Sequence, residues 1–139
     1  MVYLIIMVGS SSDEPFLRAG LEYLKEHNIK YKVIVCSTHR EPQKTSAIIL
    51  ESLENKNLKV IIGGAATATG LPGVIAGYLK ETLIPIFGVR FTKEPGQSLI
   101  EDATFNLSSM PSGVPLAYVG YNEKGFLHAC MLATRIINA

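Results

Sequence analysis

From Val2 to Val8 the chain is apolar without interruption, and it then passes abruptly into Gly9-Ser10-Ser11-Ser12-Asp13. A strand wet on one face alternates polar and apolar residues, so an unbroken run marks a strand buried on both faces, which requires helices on both sides of a parallel sheet. The rest of the chain repeats that requirement. Asp13 is a suitable N-cap for a helix in which Phe16, Leu17, Leu21 and Leu24 recur at helical spacing until the break at His27-Asn28. Tyr31 to Cys36 reads as a second strand, and Pro42 suits the first turn of a helix running to Asn55. Leu58 to Ile62 is a third strand, followed by the small-residue stretch Gly63 to Gly70 and a helix through Gly77 to about Lys80. Ile84 to Val89 and Pro115 to Val119 complete the strands, with helices from about Gln97 to Leu107 and from Glu123 to Ile137.

Strands alternating with helices predict an α/β domain with a mainly parallel, five-stranded sheet, doubly wound by right-handed crossovers into three layers. With 139 residues and no linker, repeat or low-complexity tract, residues 1–139 are expected to form a single domain. Thirteen Lys and Arg nearly balance twelve Asp and Glu, so no broad field exists for nucleic acid, and a small molecule is the expected partner. Hydrophobic residues reach 47% against 18% charged, which predicts that some apolar surface faces other subunits. Cys36 and Cys130 stand apart in unrelated segments, with no second ligand at metal spacing; they read as buried small hydrophobes, and no metal site is expected. The first apolar run lacks a basic flank, unlike a signal peptide, and no stretch approaches the roughly 20 apolar residues of a membrane span. No membrane partner is expected, and the cytoplasm is the expected compartment.

Ligands of open parallel sheets bind beyond the carboxyl ends of the strands, where loops and helix amino termini converge. Three loops at such positions have distinctive composition. The first offers the hydroxyls of Ser10 and Ser12, the Asp13 carboxylate and free amides at a helix start, which suits an anion, although the same residues would also serve simply to cap the helix. The second, Ser37-Thr38-His39-Arg40, sets an imidazole that titrates near neutrality beside a guanidinium able to grip phosphate through two parallel hydrogen bonds. The third, Gly63 to Gly70, holds only Gly, Ala and Thr; it lets backbone approach a flat heterocycle, and it also suits tight helix packing. It is neither a Walker A nor a dinucleotide-binding glycine motif. His27, at a helix end, and His128, within the last helix, lack a catalytic setting.

Together these loops resemble one family, the catalytic subunit of phosphoribosylaminoimidazole carboxylase, also called carboxyaminoimidazole ribonucleotide mutase. Its Gly-Ser-x-Ser-Asp pattern is met by Gly9, Ser10, Ser12 and Asp13, and its Ser-Ala-His-Arg pattern nearly so by Ser37, Thr38, His39 and Arg40. Leu71-Pro72-Gly73 and Met110-Pro111-Ser112-Gly113-Val114-Pro115 are similar to further family signatures, in the same order along the chain. The resemblance implies a flavodoxin-like domain assembled as a homo-octamer, without metal or organic cofactor, that carboxylates aminoimidazole ribonucleotide in purine biosynthesis. It implies proton transfer by His39 and substrate binding by Ser10, Ser12, Asp13, Ser37, Arg40, Gly64, Ala65, Thr69, Gly70 and Leu71. Mutases of the family usually carry a second His before Leu-Pro-Gly, where this chain has Gly70; enzymes using carbon dioxide directly lack that His but usually have Lys in place of Arg40. Arg90 stands where relatives tend to have proline. The expected activity is the mutase reaction, with direct carboxylation, a phosphate-binding module without chemistry, and a flavin-binding relative as alternatives.

Overall fold

The computed structural model describes residues 1–66, 70–92 and 109–139. Five strands form one sheet in the order β2-β1-β3-β4-β5: β1 Leu4–Val8, β2 Tyr31–Val35, β3 Val60–Ala65, β4 Ile86–Arg90 and β5 Ala117–Tyr121. Every pairing is parallel. The helices are α1 Arg18–Glu26, α2 Pro42–Leu53, α3 Gly70–Leu79 and α4 Asn122–Ile137, with a 3₁₀ segment Ser11–Leu17 leading into α1. The helix expected from about Gln97 to Leu107 lies outside the described residues.

The unbroken apolar run becomes a two-sided strand because successive side chains point to opposite faces. Leu4, Ile6 and Val8 join Val60, Ile62 and Val89 on the face covered by Leu17 and Leu24 and by Phe126, Ala129, Cys130 and Ala133 of α4. Ile5 and Met7 join Ile61 and Ile86 on the other face, beneath Ile49 of α2 and Leu71, Ile75 and Leu79 of α3. Gly20 sets how closely α1 lies on α4. A Cβ there would fall 2.4 Å from the Phe126 ring and 2.9 Å from Cys130 Sγ, so a side chain would force the helices apart. Both cysteines are buried and free, and burial pushes both thiols up from their ordinary range.

Two expectations are corrected. Asp13 does not cap the first helix: Ser10 is the cap, with extended backbone (φ −156°, ψ 147°), and its Oγ accepts from the Ser12 N–H at 3.2 Å. Pro15 lies inside the first turns and has no N–H to donate, so the chain passes through a 3₁₀ segment before regular α-helix begins. The third loop is also shorter than its composition suggests. Gly63, Gly64 and Ala65 continue β3, pairing with Met7, Val8 and β4, because glycine does not prevent a ladder flanked on both sides. Gly64 is required by packing, since a Cβ would fall 2.2 Å from the Phe91 ring.

Candidate active site

The strand order reverses direction at β1 and β3: from β1 the chain moves outward to β2, and from β3 outward to β4 and β5. Loops leaving β1 and β3 therefore diverge to opposite faces and leave a crevice at their carboxyl ends. A cleft of ≈ 420 Å³ occupies that position, within the range of small-ligand sites. Gly9, Ser10, Ser12 and Asp13 line it from the loop after β1, Ser37, Thr38, His39 and Arg40 from the loop after β2, and Ala65, Ala66 and Leu71 from β3 and α3.

Each loop is held by its own hydrogen bonds. The Gly9 N–H donates to the Gly64 carbonyl at 3.2 Å, extending the β1–β3 ladder to the edge of the cleft. Ser10 and Ser12 share a hydroxyl hydrogen bond of 2.9 Å, and the Ser10 backbone N–H favours the charged form of the Asp13 carboxyl. The Asp13 N–H donates to the Ser10 carbonyl at 3.1 Å, which closes the first turn of the 3₁₀ segment. On β2, the Cys36 N–H donates to the Val8 carbonyl at 2.9 Å, and Ser37 then closes a turn: its Oγ accepts from the Arg40 N–H at 3.3 Å and its carbonyl from the Glu41 N–H at 2.9 Å. The turn presents His39 and Arg40, both exposed, at the mouth of the cleft.

The cleft is electrostatically uneven. Arg40 supplies a fixed positive charge, and Asp13 is the lining residue with a carboxylate. Asp13 is only 3% exposed, and its Oδ2 is buried with no hydrogen-bond partner. Burial pushes its carboxyl above the ordinary value of 3.8, opposed by the smaller effect of the Ser10 N–H. The Thr38 Oγ1 is likewise buried and unpartnered. Ala65, Ala66 and Leu71 make the wall opposite the hydroxyls apolar. Such a cleft combines hydroxyl and guanidinium donors, an exposed imidazole and an apolar surface, a combination that suits a small polar ligand with a flat ring.

A family model described as AIR carboxylase matches residues 3–139. The chain belongs to the AIR carboxylase family. The N5-carboxyaminoimidazole ribonucleotide mutase of Pyrococcus horikoshii is 33% identical over 132 residues, which are 95% of this chain and 70% of that protein. The mutase of the same name from Thermotoga maritima is 34% identical over 133 residues, covering 94% of this chain and 74% of the relative. The phosphoribosylaminoimidazole carboxylase of Saccharomyces cerevisiae is 34% identical over 134 residues, 96% of this chain but 22% of that longer protein. A crystal structure of Treponema denticola PurE superposes with a TM-score of 0.76 over 97% of this chain and 88% of the other, at 21% identity, and shows that the two share a fold.

In this AIR carboxylase family chain, eight of the residues singled out from sequence line one cleft: Ser10, Ser12, Asp13, Ser37, His39, Arg40, Ala65 and Leu71. Gly64 is not in the lining; it faces Phe91. Thr69 lies outside the described residues. Gly70 stands beside His39 at the start of α3. Gly9, Thr38 and Ala66 line the cleft without having been assigned a binding or catalytic part. Their position was available in the sequence, since each directly adjoins a candidate, but their side chains offer little chemistry to notice. The two further family motifs also meet in space, Gly73 lying against Met110, whose Sδ would be 3.6 Å from an added Cβ. Among the described residues, no group of three or more His, Cys, Asp or Glu could hold a metal ion, and no helix is long and apolar enough to cross a membrane.

Proposed function

We propose that this chain is a carboxyaminoimidazole ribonucleotide mutase of purine biosynthesis, acting in the cytoplasm as a closed homo-octamer without metal or organic cofactor. The observation that carries the reading is the convergence of Ser10, His39 and Arg40 on one cleft with an apolar opposite wall. Ser10, Ser12 and Arg40 hold the substrate phosphate, with Arg40 binding it bidentately. Asp13 and Ser37 contact the ribose or phosphate, and Ala65 and Leu71 face the heterocycle.

The reaction moves a carboxyl group from a ring-attached nitrogen to the neighbouring ring carbon. Cleavage of the carbamate N–C bond returns the electron pair to nitrogen, which takes a proton from the His39 imidazolium, and carbon dioxide is released in place. The amine-activated ring carbon attacks that carbon dioxide, and the imidazole removes the ring proton, restoring aromaticity and regenerating the imidazolium. Atoms and charge balance without a co-reactant. Exclusion of water by the apolar wall favours recapture over escape.

The test is the fate of the carboxyl group. Labelled carbamate should be converted without added bicarbonate and retain its label in the presence of unlabelled carbon dioxide, and His39→Asn should abolish most turnover while leaving nucleotide affinity nearly intact. A second reading, direct carboxylation of aminoimidazole ribonucleotide by carbon dioxide, is favoured by Gly70 and by relatives named phosphoribosylaminoimidazole carboxylase. Complete loss of label, or activity only with the uncarboxylated ribonucleotide plus bicarbonate, would establish that reading in place of the mutase.

A further inference from the structure

We infer that Gly70 is a positioning residue for His39 in this chain: where mutases of the family usually carry a second His, the space left by the missing side chain is here the seat on which the His39 imidazole rests. The inference rests on the role proposed for His39 above, and its origin is steric. A Cβ built on Gly70 would lie 3.0 Å from His39 Cε1 and 3.2 Å from His39 Nε2, so the edge of the ring lies directly over the backbone of the first residue of α3. Contacts that short are tighter than ordinary packing, and the neighbour would have to give by a few tenths of an ångström.

The ring is the partner that can give. His39 is exposed and sits in a turn after β2, whereas Gly70 begins a ten-residue helix anchored by the buried side chains of Leu71, Ile75 and Leu79. A side chain at 70 would therefore displace the imidazole and leave the helix where it is. Stability and catalysis then separate. Alanine is a better helix former than glycine, by roughly 1 kcal/mol in a helix interior, so the substitution carries little penalty to the fold. Proton transfer, by contrast, needs the imidazole within hydrogen-bond reach of the reacting atom, and a displacement of about 1 Å can cost on the order of a hundredfold in rate.

No hydrogen bond described for His39 orients its ring. His27, for comparison, has its Nδ1 2.9 Å from the Tyr23 carbonyl and its ring stacked on Tyr23 at 4.0 Å between centroids. In His39 the contact with Gly70 takes the place of such a tether. The imidazole is thereby rested against the start of the helix that carries Leu71.

Gly70→Ala is expected to lower kcat about tenfold, with KM for the ribonucleotide and the thermal midpoint little changed, and Gly70→Val to lower kcat further, as a larger displacement requires. In a His39→Asn background, Gly70→Ala should have no additional effect on the residual rate, because the group it positions is already gone. A readout independent of turnover is the His39 Cε1–H resonance, with His27 and His128 as internal references: it should shift in Gly70→Ala while theirs stay in place. An unchanged His39 resonance in folded Gly70→Ala would overturn the inference whatever the activity shows. So would an equal loss of rate with and without His39. Should the wild-type chain fail to convert the ribonucleotide, the proposed function fails, and the resonance still decides whether Gly70 seats His39.

Discussion

Asp13 shows how a single residue lining the cleft can weaken the fold. Its carboxyl is buried, one oxygen lacks a partner, and desolvation raises its pKa above the ordinary 3.8 despite the Ser10 N–H. A carboxylate held in this way at the wall of a cleft marks a candidate for functional use. The sign of the effect on stability follows from linkage. Because the folded value lies above the unfolded one, Asp13 is least harmful to the fold below the unfolded value near 3.8, and stability is lost as pH rises through the higher folded value. Asp13→Asn removes the ionisation but keeps the shape. The thermal midpoint of the variant should gain on that of the wild type as pH is raised from about 3.5 to about 7. A gap that is constant, or that narrows over that range, would show that Asp13 is not held against ionisation.

At the level of elements, Asn122 governs a junction that the sequence does not advertise. It begins α4 in the left-handed region, at φ 54°, and its side chain accepts the Thr92 N–H at 2.8 Å and donates to the Thr92 carbonyl at 2.9 Å. One amide thus ties the exit of β4 to the entry of α4. Asn122→Ala loses both hydrogen bonds and also puts a Cβ residue without polar compensation in the left-handed region, so about 3 kcal/mol of unfolding free energy should disappear in urea titrations. Asn122→Gly loses the bonds but not the backbone tolerance, and should cost measurably less; equal losses would remove the backbone from the explanation. The same scale shows what hydropathy can and cannot read. Four of the five apolar runs, beginning at Val2, Leu58, Ile84 and Pro115, start two residues before the strands at Leu4, Val60, Ile86 and Ala117. Val2, Ile84 and Leu116 pack against the core just outside the strands, so the pattern records burial, whereas strand limits are set by hydrogen bonding. At the other end of β3, Gly63 and Gly64 looked like loop because glycine is read as a breaker; a strand paired on both sides outweighs that propensity. The loops after β1 and β2 were legible because Ser10, His39 and Arg40 have chemistry that a solvated turn does not need. Gly70 was legible only as a missing side chain, since the ring that fills the space belongs to a residue 31 positions earlier.

For the whole molecule, the apolar surplus is only partly absorbed by the two cores. Val35, Leu50, Tyr121 and Ile136 remain exposed, and Leu83 is fully so. Spread over β2, α2, β5 and α4, they give more than one face on which copies could meet, as a closed assembly of many subunits requires. Sedimentation at micromolar concentration should show an octamer; a monomer would contradict the assembly proposed here. The strand order has a different consequence for the cleft itself. β1, which leads into Ser10, is bonded along both sides, whereas β2, which leads into His39 and Arg40, has β1 as its sole sheet neighbour among the described residues. His39 and Arg40 therefore ride on a margin, and the serines are mounted near the centre. Parting β2 from β1 breaks one ladder, whereas displacing β1 breaks two, so the two halves of the site are not held equally firmly by the sheet.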